Sequence, residues 1–327
     1  MTVLRENLLN TYEWLTSSTR RALVERFSES RFWPASVVFY HRVADTVPNP
    51  WSITNDNFVE HLNLISELAT FASLDDTVRS QQQATRDRLS VAITFDDGYA
   101  ENLDRAIPEL IRRKIPCTYF VTTGHVENQN YFEHDVIRKQ PLCVNSISEI
   151  RWMANNGIQI GGHTSSHIDL GKPWSRQRLV LEIFDSRKKL QDWTGQEVAY
   201  FAFPYGLPKN MSQAAIDMVF ESGYRAFVSA YGGLNFPGGD AFHISRFHGE
   251  CGTASLHNWL TMDPRKISRK CPLRYTNPVH SQKSVSGSLP ETETDNLVSA
   301  LAHIESCTMP ACILEPMQSS LPTVSSI

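Results

Sequence analysis

One stretch constrains this chain more than any other. In Val91-Ala92-Ile93-Thr94-Phe95-Asp96-Asp97-Gly98-Tyr99 an apolar, β-branched run gives way at once to two carboxylates and a glycine. Such a run is a buried strand, and the glycine lets the backbone turn sharply at its end. Neighbouring residues of an extended strand point to opposite faces, so Asp96 and Asp97 are free to do different jobs. Two acidic groups where a buried strand surfaces are costly unless a cation, a proton or a donor compensates them. Chemistry is expected there.

Partners for the carboxylates lie downstream. Ile158-Gln159-Ile160-Gly161-Gly162 reads as a short strand delivering His163, with His167 four residues later. One carboxylate and two imidazoles form the ligand set of a catalytic metal site that keeps positions open for water and substrate. Tyr200-Phe201-Ala202-Phe203-Pro204-Tyr205-Gly206 is a third apolar strand ending in a turn. A lone His-x-x-x-His or Asp-Asp-Gly is weak evidence. All of them in this order, each at the end of a strand, are specific.

The rest of the chain alternates strands with helices. Strands are expected near residues 37, 91, 117, 158, 200, 226 and 242, most of them separated by amphipathic helical patterns. That alternation implies a parallel sheet with helices outside, and chemical residues at the strands' carboxyl ends favour a barrel. The first strand ends in His41, which either lines the site or sits at its rim. The loop 125–147, with His125, Tyr131, Phe132, His134 and Asp135, is a candidate substrate rim. Residues 1–35 read as an amphipathic helical extension, a single helix over 3–27. Residues 36–262 read as the catalytic barrel. Residues 263–327 are first basic, then rich in Ser, Thr and Pro, and read as a poorly ordered tail with a short helix near 295–307.

Composition mostly excludes. A net charge of −4 over 327 residues offers no nucleic-acid footprint, and no apolar run is long enough to span a bilayer. The start of the chain lacks the apolar core of a secretory signal. The six cysteines show no Cys-x-x-Cys pairing, so free thiols and a cytoplasmic setting are expected.

Thr94-Phe95-Asp96-Asp97-Gly98, His163-x-x-x-His167 and Phe203-Pro204-Tyr205-Gly206 resemble the first three signature motifs of the polysaccharide deacetylases, carbohydrate esterase family 4 with its NodB homology domain. Ile115 to Gly124 also fits that family's second core strand, and the likeness covers roughly residues 36–250. The resemblance implies an α/β fold, an irregular seven-stranded (β/α) barrel. It implies a divalent metal, expected to be zinc, on Asp97, His163 and His167, with Asp96 as the base that takes a proton from the attacking water. It gives the backbone amide of Tyr205 to the oxyanion, and Pro204, Tyr205 and Gly206 to the substrate pocket. Two positions depart from the family pattern. Ala202 stands where an arginine usually pairs with the catalytic aspartate; Arg246, also expected at the substrate, is the candidate replacement. The Leu-x-His that supplies a general acid has no clear counterpart; His243 and His248 are candidates, His248 the better placed.

The function expected from these features is removal of N-acetyl, or O-acetyl, groups from an N-acetylated sugar or polysaccharide. Trp152, Trp174, Tyr131 and Tyr231 are candidate platforms for sugar rings. Two alternatives stay open: hydrolysis of a non-sugar amide or cyclic imide on the same barrel, and a sugar-binding protein with impaired turnover.

Overall fold

Every side chain from Ser90 to Phe95 is buried, which a strand achieves only when both its faces are covered. The computed structural model describes residues 2–249, 252–269 and 272–279. Its strands, in chain order, are β1 Ala35–Tyr40, β2 Arg42–Val43, β3 Ser52–Ile53, β4 Thr70–Ala72, β5 Ser90–Phe95, β6 Cys117–Val121, β7 Gln159–Gly162, β8 Tyr200–Ala202, β9 Ala226–Val228, β10 His243–Ile244 and β11 Phe247–His248. β2 and β3 pair only with each other. The remaining nine form one sheet of order β10-β9-β8-β7-β6-β5-β1-β11, with parallel pairing throughout. β4 lies beside the first half of β5 and β6 beside the second half. The seven expected strands are all present, in the expected order. β4 and β11 are additions too short to show a period.

The two ends of this curled sheet come from one piece of chain. β10 pairs with β9, and β11, three residues further on, pairs with β1 at the opposite edge. The wall is therefore closed covalently through Ser245 and Arg246 rather than by a ladder. Asn235 seals the gap. Its backbone bridges Ala35 in both directions at 2.7 and 2.9 Å, and its side chain bonds the N–H and the carbonyl of Ser245. Val37, Ala92, Phe120, Ala202, Val228 and Ile244 belong to one buried apolar cluster, so the lower barrel is packed and only its carboxyl end is available for chemistry.

Local signals explain the helices. Thr54 caps Asn55–Leu68 by accepting the N–H of Asn57, and Ser146 with Glu149 forms a capping box at the start of Ile147–Asn155. The N-terminal segment is two helices, Thr2–Leu15 and Ser17–Ser30, instead of one. The break falls at Thr16, whose hydroxyl bonds back to the carbonyl of Tyr12, a contact that bends helices. This bent helical segment is fastened to the helix Thr253–Leu260 and its end. Buried Arg20 bonds Asn258 and Thr261, and Tyr12 donates to Asp263 at 2.8 Å.

The first part of the segment expected as a tail from residue 263 is held to the rest of the described chain. Asp263 caps a further short helix, Pro264–Ile267, and Thr276 exchanges two hydrogen bonds with the side chain of Gln213. Two residues of the basic patch pack on aromatic rings, Arg265 over Tyr12 and Lys266 over Trp259. The expected Ser/Thr/Pro-rich segment 280–327, with its short helix, lies outside the described residues. Among those described, no helix is long and apolar enough to cross a membrane, and Cys117 and Cys143 are free thiols.

Two buried histidines set an acid limit on stability. Burial pushes His61 and His243 down to about 4, so each must be charged against the fold as pH falls. Their folded values lie below the unfolded value, so the unfolded chain binds more protons between pH 6.5 and 4. Stability is complete above that window and is lost on descending through it. Unfolding free energy from urea titrations should fall by about 2–3 kcal/mol per histidine between pH 7.5 and 4.5. His61→Gln should make the slope shallower by one proton; an unchanged slope would contradict the assignment.

Candidate metal centre and active site

Three strand ends deliver the site, and at each the chain enters left-handed backbone. Asp97 and Gly98 after β5 have φ of 75° and 98°, Thr164 and His167 after β7 have 64° and 54°, and Tyr205 and Gly206 after β8 have 62° and 58°. Non-glycine residues there cost on the order of 1–3 kcal/mol each and gather at functional sites. Gly206 cannot be replaced cheaply, because a Cβ on it would sit 2.7 Å from the backbone nitrogen of Ala230.

The turns bring Asp97, His163 and His167 together. His163 Nε2 lies 3.3 Å and His167 Nε2 3.2 Å from Asp97 Oδ1, and the three potential ligand atoms lie within 4.8 Å of one another. His163 Nδ1 stands 2.8 Å from the carbonyl of Ala202. A carbonyl only accepts, so Nδ1 carries the proton and Nε2 of the neutral ring is a bare lone pair. Asp97 Oδ1 is buried with no hydrogen-bond partner. Lone pairs this close repel unless a proton or a metal ion sits among them. Ligands about 2.0–2.1 Å from a tetrahedral ion are separated by roughly 3.3–3.4 Å, so the residues present fit a small divalent cation. Burial pushes the Asp97 carboxyl up, but the nearby imidazoles of His167 and His163, then His41, outweigh it and hold the group well below the usual carboxylate range.

Asp96 faces the barrel interior and meets a different partner. Arg246 is fully buried and donates to both Asp96 oxygens at 2.7 Å, to Thr94 Oγ1 at 3.1 Å and to the carbonyl of Ser229 at 3.1 Å. Its guanidinium lies over the rings of Phe39 and Phe120. Burial raises the Asp96 carboxyl, yet the charge and hydrogen bonds of Arg246, then His163 and His41, leave it below its ordinary value. Ala202 belongs to the same interior cluster as Phe120, so an arginine there would compete for the space that Arg246 fills from the closure segment. Such enclosure keeps Arg246 off the solvent-facing surface, so its expected contact with substrate is replaced by a contact with Asp96.

The other expected residues divide. Pro204 and Gly206 are buried and shape the turn, whereas Tyr205 is 56 % exposed with its ring 5.2 Å from that of His167. His248 is exposed at the rim, its ring tilted by 53° against that of Phe39 at 4.3 Å and 5.7 Å from the ring of His41. His243 lies away from the metal ligands, stacked on Phe227 and 2.8 Å from Ser229 Oγ. Tyr231 is buried against Ser245 and offers no platform. The rim loop does close one side of the site: Phe132 and His134 contact the His167 ring, and Tyr99 bonds both His134 Nε2 and Asp135 Oδ2. Burial, eased by the Tyr99 hydrogen bond, pushes Asp135 up to about 6. Trp51, which no pattern in the chain singles out, packs edge-on against His134 and under Arg138.

Residues 83–227 match the family model described as "Polysaccharide deacetylase". Over those residues the chain is similar to a polysaccharide deacetylase domain. Hydrolases of that family act on carbon–nitrogen bonds other than peptide bonds. The poly-β-1,6-N-acetyl-D-glucosamine N-deacetylase of Staphylococcus aureus strain MRSA252 is 25% identical over 205 residues, 60% of this chain and 67% of the relative. The chain spans about two thirds of the length of the curated relatives it matches. The Streptococcus pyogenes deacetylase PplD, solved with acetate, superposes with a TM-score of 0.60 at 19% identity, over 71% of this chain and 99% of that one. IcaB from Ammonifex degensii gives 0.57 at 23% identity, over 70% and 97%. Both share the fold, the curled parallel barrel of this family.

Breaking a buried pair leaves an uncompensated charge, which costs about 3–5 kcal/mol. Arg246→Met should therefore lower the unfolding free energy at pH 7 by that amount. In Arg246→Met/Asp96→Leu, where no charge is stranded, much of the loss should be recovered. A loss below about 1 kcal/mol in the single variant would show that Asp96 does not depend on Arg246.

Proposed function

We propose that the chain is a metal-dependent hydrolase that removes the N-acetyl group from an N-acetylated amino sugar within a polysaccharide, releasing acetate and a free amine. The observation that carries the reading is the convergence of the Asp97, His163 and His167 lone pairs beside a second carboxylate that is held ionised. The domain and the named activity of the Staphylococcus aureus relative support a sugar amide as substrate.

Amide hydrolysis requires an activated water, a polarised carbonyl and a proton for the departing amine. A divalent ion held by Asp97, His163 and His167, for which zinc suits the donor set, lowers the pKa of water and polarises a carbonyl oxygen. Asp96 then accepts the proton of the attacking water. Arg246 lowers the basicity of that carboxylate but keeps it ionised across the neutral range. The backbone N–H of Tyr205, turned by its left-handed conformation, donates to the oxygen on which negative charge develops. As the carbon–nitrogen bond breaks, the amine takes a proton from an imidazole. His41 is assigned that step in preference to His248, because it directly follows Tyr40, whose carbonyl accepts the Asp96 N–H at 2.8 Å, whereas His248 is exposed at the rim.

The test is acetate release from N-acetylglucosamine oligomers, together with metal content by mass spectrometry. Asp97→Ala should lose both metal and turnover. Asp96→Asn should keep the metal and lose rate by about 100-fold or more. His41→Gln should slow turnover more than His248→Gln does. Near-full activity in Asp96→Asn would remove the assigned base, and a metal-free protein that binds glycans without releasing acetate would overturn the reading.

A further inference from the structure

The helix that follows the second histidine is irregular at one place. Between Arg176–Leu179 and Asp185–Thr194 the turn Val180–Phe184 is π-helical, with the N–H of Asp185 bonded to the carbonyl of Val180 five residues back. Single π turns inside α-helices are frequent at functional sites. Here the turn points Glu182 inward, and its carboxylate is 1 % exposed. A buried carboxylate is expensive unless its lone pairs are used, and apart from an ion pair with Arg178 this one's contacts go to a single place. Oε2 accepts the backbone N–H of Ser165 at 3.0 Å and of Ser166 at 2.8 Å. Oε1 accepts the hydroxyl of Ser166 at 2.8 Å and pairs with Arg178 at 2.7 Å.

Ser165 and Ser166 are the two central residues of the turn between the ligand imidazoles. That turn is strained at both ends, with Thr164 and His167 left-handed. Its other polar groups are also occupied. The N–H of His167 bonds Thr164 Oγ1 at 2.9 Å, and the carbonyls of Thr164 and Ser165 accept the N–H groups of Thr123 and Gly124 at 3.1 and 2.8 Å. Gly124 is needed for that approach, since a Cβ there would lie 2.5 Å from the Ser165 carbonyl oxygen. The turn is thus clamped on its carbonyl side by the segment after β6 and on its N–H side by Glu182.

We propose that Glu182 is a positioning residue for the metal centre: it holds the 164–167 turn in the strained form that aims His167 at Asp97. The proposal rests on the reading that Asp97, His163 and His167 bind a metal, and it adds where the strain of that centre is balanced. Without the carboxylate, the N–H groups of Ser165 and Ser166 lose their protein acceptor and the turn relaxes, carrying His167 away from the shared point. Outer groups of this kind are worth roughly 10–100-fold in metal affinity.

The experiment uses the full chain stripped with a chelator and titrated with zinc against a chromogenic chelator, with melting of the metal-free protein in parallel. Glu182→Leu, which removes both acceptor oxygens, should weaken zinc binding roughly 10–100-fold. In a His167→Ala background, where there is no second imidazole to aim, Glu182→Leu should change the dissociation constant by less than about 2-fold, since coupled sites are not additive. Equal zinc affinity in Glu182→Leu and wild type, or losses that add in full, would overturn the proposal, even with a lowered melting temperature. Should Glu182→Leu not fold, Ser166→Ala, which removes only the hydroxyl contact, should weaken zinc binding a few-fold; no change there would overturn it equally. A wild-type chain that takes up no zinc would overturn the functional reading and this proposal together, whereas loss of coupling alone would leave that reading standing.

Discussion

Two carboxylates next to one another at the end of a buried strand cannot both be left without compensation, and the site follows from how each is satisfied. Asp96 points into the barrel and meets Arg246, which gives it two charge-assisted hydrogen bonds at 2.7 Å. Asp97 turns out of the strand with φ of 75° and meets two imidazoles instead. One is thereby kept as an ionised group with fixed geometry. The other is placed where its lone pair and those of the histidines crowd a common point. A difference of one position in the chain separates the two environments.

The barrel's closure and the chemistry are coupled through Arg246. The six residues from His243 to His248 supply both end strands of the sheet, and the arginine sits in the middle of that run. Pairing β10 with β9 and β11 with β1 is therefore what carries the guanidinium across the interior to Asp96. Thr94, Phe39 and Phe120 complete its surroundings. The small residue at Ala202 leaves that volume open, so the cation reaches the same carboxylate from the opposite side of the wall.

Much of this was legible in the sequence because it is local. Each ligand stands within a few residues of an apolar run, and strand order could be counted from alternating periods. Arg246 was readable as the cation for Asp96 only because it too follows a strand. What stayed hidden depends on pairings distant in the chain. Trp51 lies in a polar loop with no period, and its place against His134 is set by the fold of a segment more than eighty residues away. Glu182 reads as an ordinary helix position, since a π turn leaves no signature in residue types. His41 carried no sign of a role in proton transfer, because its place beside Asp96 depends on the pairing of β1 with β5. The boundary at residue 263 was drawn on composition, whereas Tyr12 and Asn258 hold Asp263 in the fold.

The central claim is that Asp97, His163 and His167 share one divalent ion beside an unliganded Asp96. It is tested most directly by anomalous diffraction from crystals of the wild-type chain grown with zinc. The expected result is a single strong peak about 2.0–2.2 Å from one Asp97 oxygen and from Nε2 of each histidine, with Asp96 still paired to Arg246. A map with no peak there, with Asp97 and the two rings joined by ordinary hydrogen bonds, would contradict it.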